Sequence, residues 1–181
     1  MKILFINGSP NPDGATAAIL SVIREAAEMK AHDCRTVCLG EQNIHFCTGC
    51  KVCYETGVCC QRDDMDKLHA AIEKADCIVM GLPSYWGDMP GHAKVFIDRT
   101  TPYCDTNAGH STFSDGKVGY AVAVRAGPTT RESDHLIASV EHFFGHLHIE
   151  TKGSAYLTLA DTKEQVLARK NEILAQCENW F

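Results

Sequence analysis

The chain lacks long apolar runs and an excess of basic residues. No apolar stretch approaches the ~20 residues that cross a bilayer as a helix, so no membrane association is expected. The opening stretch MKILFING is too short an apolar run for a secretory signal peptide, which predicts a cytoplasmic protein. Lys and Arg number 17 against 23 Asp and Glu, for a formal charge of −6. This balance disfavours a nucleic-acid partner, which would require a basic surface.

Cysteine, in contrast, is abundant. The chain has ten cysteines in 181 residues, and five of them fall in the stretch HFCTGCKVCYETGVCC, residues 45–60, called the cysteine loop below. Disulfides are rare in a reducing compartment, so this number favours metal or redox chemistry. Apolar residues at 45% and charged residues at 22% are ordinary globular values. The length fits a single domain over residues 1–181.

Short apolar runs alternate with segments of helical periodicity. Strands are predicted at residues 2–6, 34–39, 77–82, 117–124 and 148–157, and helices at 16–30, from 65 to about 75, 92–100, around 136–144 and 162–177. In the last helix Val166, Leu167, Ile173 and Leu174 are expected to face inward. Alternating strands and helices predict an α/β fold, a doubly wound five-stranded parallel sheet with helices on both faces. The irregular segment 101–116 is expected to be a lid or an oligomer contact.

The loop after the first strand, NGSPNPDGAT, has the composition of a phosphate cradle. Its glycines let the backbone approach a ligand, and Ser9 and Thr16 add hydroxyl groups. The helix that follows offers unpaired N–H groups and the positive end of its dipole. Neither a nucleoside-triphosphate P-loop nor G-x-G-x-x-G is present, so a phosphate monoester is the better fit. An ordinary turn with a helix cap is the alternative.

Two further loops follow the third and fourth predicted strands. PSYWGDM offers a rigid proline, Gly87 and two aromatic rings that can lie against a flat ligand. RAGPTT, residues 125–130, can form a third wall. In an open parallel sheet such loops meet at the carboxyl ends of the strands. A cradle for phosphate beside a wall for an aromatic plane describes a site for FMN.

The stretches GSPNPDGAT, DDM and GLPSYWGDMPGHAKVFIDR resemble the NADPH-dependent FMN reductase family, which has the flavodoxin-like fold. The resemblance covers most of residues 1–100. It implies a phosphate site and a wall along the ribityl chain and isoalloxazine, completed by the third loop. The implied flavin-binding residues are Ser9, Asn11, Gly14, Ala15, Thr16, Pro83, Ser84, Tyr85, Trp86, Gly87, Arg125, Ala126 and Gly127.

The chain departs from the family pattern at two positions of the first loop. Asn11 stands where relatives usually have a basic residue, and Ala15 stands where they often have Asn. Both changes remove side-chain donors, which predicts weaker FMN binding. Asp98 and Arg99, at the end of the motif, fit a structural ion pair as well as they fit a site.

Four thiols of the cysteine loop, Cys47, Cys50, Cys53 and Cys59, follow the pattern C-x2-C-x2-C-x5-C. Compact ferredoxin motifs space cluster ligands in this way, whereas structural zinc uses two separated pairs. The pattern also resembles the iron–sulfur flavoproteins, a branch of the same family, which implies a [4Fe–4S] cluster. Zinc and metal-free thiols remain open alternatives, and Cys60 is an alternative fourth ligand.

The remaining thiols and histidines carry weaker signals. Cys34, Cys38, Cys77 and Cys177 are expected to be buried as small apolar side chains, and Cys104 lies in the irregular segment. His142, His146 and His148 are interpreted as a surface cluster at a helix end, because no acidic residue or cysteine lies near them at ligand spacing.

The sequence therefore predicts an FMN-dependent oxidoreductase. The expected electron donor is NAD(P)H or a ferredoxin-like protein, and the expected acceptor is a small molecule or a protein. No catalytic acid or base is expected, because the flavin carries the chemistry. A homodimer or homotetramer is expected, with one ring face exposed towards a subunit interface. The alternatives are a flavodoxin-like electron carrier without turnover and a zinc or thiol regulator on an α/β domain.

Overall fold

A computed structural model describes all residues, Met1–Phe181, and contains one five-stranded parallel sheet in the order β2-β1-β3-β4-β5. This is the flavodoxin-like strand order, so the predicted α/β fold is confirmed. The strands are β1 Lys2–Asn7, β2 Asp33–Cys38, β3 Cys77–Pro83, β4 Val118–Val124 and β5 Glu150–Leu157.

The central strands are apolar because helices cover both faces of the sheet. In β3 every residue from Cys77 to Leu82 is buried, as expected for a strand with no solvent-facing side. The helices are α1 Ala15–Met29, α2 Val52–Thr56, α3 Met65–Lys74, α4 Gly91–Arg99, α5 Arg131–His146, α6 Lys163–Leu167 and α7 Lys170–Gln176. Short 3-10 turns lie at Leu39–Glu41 and Thr101–Tyr103.

The two faces of the sheet have separate cores. Leu4, Ile78 and Ala121 pack with side chains of α3, α4 and α5 on one face. Ile3 and Phe5 pack with side chains of α1, α6 and α7 on the other. Helices therefore cover both faces, as predicted. No helix is long and apolar enough to span a membrane.

The predicted last helix is wrong as one continuous element. It breaks into α6 and α7 because Arg169 leaves helical geometry, with φ −113° and ψ 25°. The Arg169 guanidinium donates to the Thr158 carbonyl and pairs with Glu172, which holds the break. Val166 remains buried on one side of it, but Leu167 is exposed and does not face inward as predicted.

The segment 101–116 packs on the cysteine loop of the same chain. The Gly109 N–H donates to the Tyr54 carbonyl at 2.8 Å, and the Ser111 hydroxyl donates to the Gly57 carbonyl at 2.9 Å. A Cβ on Gly109 would lie 2.1 Å from the Glu55 carbonyl oxygen, so the backbones are in direct contact. The segment therefore packs directly against the backbone of the cysteine loop.

Candidate functional site

The strand order reverses direction at β1, which has β2 on one side and β3 on the other. Ligands of open α/β sheets bind at this switch point, outside the carboxyl ends of the strands. The loops after β1 and β3 flank the crevice there. They are tied together at its base, where the Gly8 N–H donates to the Gly81 carbonyl at 2.8 Å. The structure thus brings the first two predicted loops together.

The loop after β1 is shaped by three successive side-chain turns. Asn7 Oδ1 accepts from the Ser9 N–H, Ser9 Oγ accepts from the Asn11 N–H, and Asn11 Oδ1 accepts from the Asp13 N–H, at 3.0–3.1 Å. Asn and Ser favour such turns because their short side chains reach the backbone two residues on. Ser9 is buried, and Asn11 is exposed at the tip of the loop. The loop is therefore held in place by its own side chains.

Helix α1 begins at this loop with an uncapped N-terminus. Gly14 precedes the helix and has no side chain to accept a hydrogen bond, and the first turn contains no acidic residue. The first intrahelical bond runs from the Ala18 N–H to the Gly14 carbonyl. The N–H groups of Ala15, Thr16 and the residue after them have no acceptor in the chain. Such groups and the helix dipole suit an anion.

The charge around this N-terminus is balanced by an ion pair. Asp13 is the only carboxylate of the loop, and it pairs with Lys163 Nζ at 2.5 Å. Without this pair, the carboxylate would repel an anion at the start of α1. Lys163 reaches the loop from α6, which packs against α1, so no local pattern in the sequence indicates this pair.

The loop after β3 projects aromatic rings at the edge of the crevice. Tyr85 and Asp88 exchange backbone hydrogen bonds at 2.8 and 3.1 Å, and the two residues between them have positive φ, 56° at Trp86 and 82° at Gly87. This is the turn geometry that glycine favours, so tryptophan there is strained. Trp86 is fully exposed and Tyr85 is half exposed. A large apolar side chain held out in this way is available to a flat ligand.

A network of polar side chains joins the loops after β3 and β4. Glu132, in the first turn of α5, accepts from Ser84 Oγ at 2.5 Å and pairs with Arg125 Nη2 at 3.1 Å. The guanidinium of Arg125 also donates to the carbonyl and hydroxyl of Thr129. Pro83 ends β3 beside this network.

The third loop is stacked on its own arginine. A Cβ on Gly127 would lie 2.3 Å from Arg125 Nη2, so a larger residue there would displace the guanidinium. The backbone of Arg125 is fully engaged, because its N–H donates to the Leu157 carbonyl and its carbonyl accepts from the Ala160 N–H. Ala126 lies between Arg125 and Gly127, just after the end of β4. Arg125 therefore holds the loop in place through its backbone and its guanidinium. Its buried Nε has no hydrogen-bond partner.

The cysteine loop is anchored at both ends by one buried ion pair. Arg99 donates to both oxygens of Asp63, at 2.6 and 3.2 Å, and to the His45 carbonyl at 2.7 Å. Asp63 also accepts from the N–H groups of His45 and Met65. Both charged side chains are 1% exposed. Arg99 is thus a structural ion pair with Asp63, while Asp98 pairs separately with Lys94 at 2.5 Å.

The pKa values of this pair reflect the same contacts. Burial acts to raise the pKa of Asp63, but the hydrogen bond from Arg99 and the backbone N–H groups lower it to about 2. Burial opposes the charge of Arg99, but Asp63 and the nearby Cys59 sulfur raise its pKa. Arg99 therefore places a permanent positive charge beside one of the predicted cluster ligands.

Between its anchored ends the cysteine loop is open. Two residues with positive φ, Gly49 at 66° and Lys51 at 62°, bend the chain ahead of α2. The loop encloses a cavity of about 110 Å³ that no acidic side chain lines. This cavity is lined by the four predicted ligands and by the alternative fourth ligand, namely Cys47, Cys50, Cys53, Cys59 and Cys60.

The loop thiols differ in their surroundings. Cys53 and Cys59 are half-buried, whereas the other three are exposed. Burial raises the pKa of Cys53, while the Val52 N–H, followed by the Cys60 thiol, lowers the pKa of Cys50. The sulfurs of Cys50 and Cys60 are 3.5 Å apart. No three of the loop sulfurs lie within 4.8 Å of one another, as ligands of a single zinc ion would.

Local patterns in the sequence did not reveal the partner of Arg99. The Asp63 and Arg99 positions lie 36 residues apart, on different elements. Both belong to motifs that carry the family resemblance, DDM and KVFIDR. A charged pair at the two ends of shared motifs was the available signal.

The strand order and the three loops define a flavodoxin-like domain. A model of the NADPH-dependent FMN reductase family matches residues 1–163. The chain belongs to this family, which is one of flavin-linked oxidoreductases.

Its relatives include iron–sulfur flavoproteins of archaea. One from Archaeoglobus fulgidus is 35% identical over 127 residues, which are 70% of this chain and 56% of that protein. One from Methanocaldococcus jannaschii is 31% identical over 144 residues, which are 80% of this chain and 72% of that protein. The chain spans about half the length of the two Archaeoglobus relatives, 56% and 49%.

Solved structures share the fold. An FMN-dependent NADH-azoreductase from Bacillus anthracis, in complex with FMN, superposes with a TM-score of 0.68 over 98% of both chains, at 16% identity. A flavone reductase superposes with a TM-score of 0.70 over 96% of this chain and 60% of the other, at 19% identity. At these identities the likeness shows the fold alone.

Proposed function

We propose that this chain is an FMN-dependent oxidoreductase that also carries a [4Fe–4S] cluster in its cysteine loop. The observation that carries the proposal is the meeting of the loops after β1 and β3 at the switch point, one leading into an uncapped helix N-terminus and the other carrying exposed aromatic rings. FMN has a phosphate for the first and a flat ring for the second. Family membership supports the same flavin.

In this proposal the first loop and α1 hold the phosphate. The free N–H groups at the start of α1 and the hydroxyl of Ser9 would donate to it, while the tip amide of Asn11 is free to reach it. Pro83 to Gly87 would lie along the ribityl chain and ring, and the loop at Arg125, Ala126 and Gly127 would close the third side. The bound flavin would supply hydride acceptance and one-electron release. The chain's own residues would position the flavin, and the reaction would need no catalytic acid or base from them.

The cysteine loop suits a cluster better than a single metal ion. Cys50 and Cys60 have sulfurs 3.5 Å apart, a distance that zinc ligands also keep, but no third loop sulfur lies within 4.8 Å of both. The loop sulfurs as a set are therefore more widely spaced than the four ligands of one zinc ion. Cluster ligands bind separate irons and need that wider spacing. The cavity has no acidic side chain, and Arg99 and Lys51 offset the charge of thiolates. We assign Cys47, Cys50, Cys53 and Cys59 as ligands.

We further propose NAD(P)H or a ferredoxin-like protein as electron donor and a small molecule or protein as acceptor. The exposed Trp86 leaves one side of the crevice open to such partners. A homodimer or homotetramer would cover this face, and a reducing cytoplasm would keep the ten free thiols reduced.

The test is anaerobic reduction of FMN-loaded protein. NADPH, NADH and dithionite are added in parallel, and the loss of flavin absorbance is followed. The proposal expects rapid bleaching by at least one nicotinamide and reoxidation on addition of a quinone. Bleaching by dithionite alone would favour the carrier without turnover, and failure of the protein to retain FMN would overturn the proposal.

A further inference from the structure

A groove of about 600 Å³ lies between α4 and α5 and extends from the end of the loop after β3, at Asp88 and Met89, to the irregular segment. At one end of this groove the irregular segment crosses the last turn of α5. Cys104, Asp105 and His146 meet there, and their ligand atoms all lie within 4.8 Å of one another. They are the one such trio of the chain, and neither the flavin nor the cysteine loop uses them.

Backbone hydrogen bonds fix the trio from both sides. The Asp105 N–H donates to the His146 carbonyl at 3.3 Å, which fastens the segment to the end of α5. The Cys104 N–H donates to the Thr101 carbonyl at 3.1 Å, and its carbonyl accepts from the Asn107 N–H at 3.1 Å. Ligands held by their backbones need little rearrangement to take up an ion.

The side chains of the trio already contact one another or neighbouring polar groups, and a cation could take the place of these contacts. His146 Nδ1 lies 2.7 Å from Asp105 Oδ1, and His148 Nε2 lies 3.9 Å from the other carboxylate oxygen. Cys104 Sγ lies 3.2 Å from the hydroxyl of Thr106. The three residues of the trio are half-buried, and His146 ends the 16-residue α5, where the helix dipole favours positive charge.

One thiolate, one carboxylate and one imidazole are a donor set that zinc accepts. Zn²⁺ binds sulfur at about 2.3 Å and nitrogen or oxygen at about 2.0–2.2 Å, in tetrahedral geometry. The carboxylate and imidazole atoms, 2.7 Å apart, are too close for that geometry, so zinc binding would widen their contact by about 0.6 Å or more. His148 Nε2 is a further donor near the Asp105 carboxylate, and Cys104 and His146 both line the groove, from which water can reach the site.

We propose that Cys104, Asp105 and His146 form a zinc-binding site, with His148 or water as the fourth ligand. The site is chemically distinct from the cysteine loop, because it offers one sulfur with nitrogen and oxygen rather than sulfur alone. Its residues come from the segment that supports the loop and from α5. A bound ion would cross-link these two elements.

The experiment uses the FMN-loaded full chain in which all five loop thiols are changed to serine, called the loop-serine variant. Zinc is added, free metal is removed by dialysis, and bound metal is counted. The proposal expects about one zinc per chain, with an X-ray absorption spectrum of one sulfur near 2.3 Å and the remaining ligands at about 2.0–2.2 Å. Adding Cys104→Ser or His146→Ala weakens zinc binding by more than about tenfold.

Cys34→Ser in the same variant is the matched control, because that thiol lies on β2. It should leave zinc binding unchanged. No bound zinc, or zinc unaffected by both trio substitutions, would overturn the site. Should the loop-serine variant fail to fold, the wild-type chain with and without Cys104→Ser gives the same answer. Loss of one zinc from a mixed-ligand site supports the proposal, and an equal zinc content contradicts it. Neither result depends on flavin turnover.

Discussion

The flavin crevice and the cysteine loop are built in opposite ways. The crevice is shaped by its own short-range contacts, from the turns at Ser9 and Asn11 to the exchange of backbone bonds between Tyr85 and Asp88. The cysteine loop is held by contacts with distant parts of the chain, with Arg99 at its ends and with the segment 101–116 at Tyr54 and Gly57. Its thiols face a cavity and bond to little else.

The two sites therefore differ in how far their structure depends on a bound ligand. The crevice has its donors in place before a flavin binds, so binding adds contacts to a finished frame. The cysteine loop contains the short helix α2 and a few internal hydrogen bonds, but its thiols have few partners and are completed by what they bind. Changes to the loop should therefore affect stability and metal content while sparing the crevice, and the following predictions test that separation.

The largest effect is expected from a single cluster ligand. Cys53→Ser should remove most iron and acid-labile sulfide from anaerobically purified protein, because cubane clusters need four cysteine ligands. Cys60→Ser is the matched control and should retain both. FMN per chain should be the same in the two variants. Equal iron loss from both would show that Cys60 is also required, and FMN loss with the iron would break the separation of the two sites.

The next effect is on the anchor of the loop. Arg99→Met leaves the buried Asp63 carboxylate without its charged partner, which should lower the free energy of unfolding by about 3–5 kcal/mol. Lys94→Met breaks an exposed pair in the same helix and should cost about 0–1 kcal/mol. Urea unfolding of both variants measures the difference. Similar costs would mean that Asp63 and Arg99 do not anchor the loop.

A smaller effect on stability is expected from His69. Its ring packs against Tyr103 of the segment 101–116, with the ring centroids 4.6 Å apart. Burial lowers the pKa of His69 from 6.5 to about 4. The unfolded chain therefore binds a proton near pH 6.5, whereas the folded chain does so only near pH 4. Stability should fall by about 2–3 kcal/mol as the pH drops through this window.

Urea unfolding at several pH values between these limits checks the prediction for His69. His69→Phe should flatten the pH dependence in the window, since the titrating group is gone. The exposed His92→Asn is the control and should keep the wild-type slope. Asp63 does not interfere, because its lowered pKa removes its contribution only below about pH 4. An unchanged slope in His69→Phe would contradict the assignment.

The smallest effect belongs to the crevice itself. Ala15→Asn adds a side-chain amide at the first turn of α1. One added hydrogen bond contributes about 0.5–1.5 kcal/mol, so FMN should bind about two- to tenfold more tightly. Flavin fluorescence titration measures this. Ala26→Asn, later in the same helix, controls for general effects on α1 and should leave FMN affinity unchanged; unchanged or weaker binding in Ala15→Asn would remove that position from the phosphate site.

The sequence predicted the sheet and the crevice because those features depend on local patterns. Short apolar runs ended at turn residues, and parallel strands necessarily bring such loops to one edge. The break at Arg169 escaped prediction, because it rests on a contact with Thr158 rather than on proline or glycine. The partner of Arg99 and the meeting of Cys104 with His146 escaped for the same reason. Each joins residues that are distant in sequence, and periodicity carries no information about such pairs.

We expect one chain to hold FMN and a [4Fe–4S] cluster in two separate sites. FMN, iron, acid-labile sulfide and zinc can be assayed on one anaerobically purified sample together with its absorption spectrum. We expect about one FMN, four iron and four sulfide per chain. Protein without flavin after reconstitution, or with zinc in place of iron and sulfide in the cysteine loop, would contradict it.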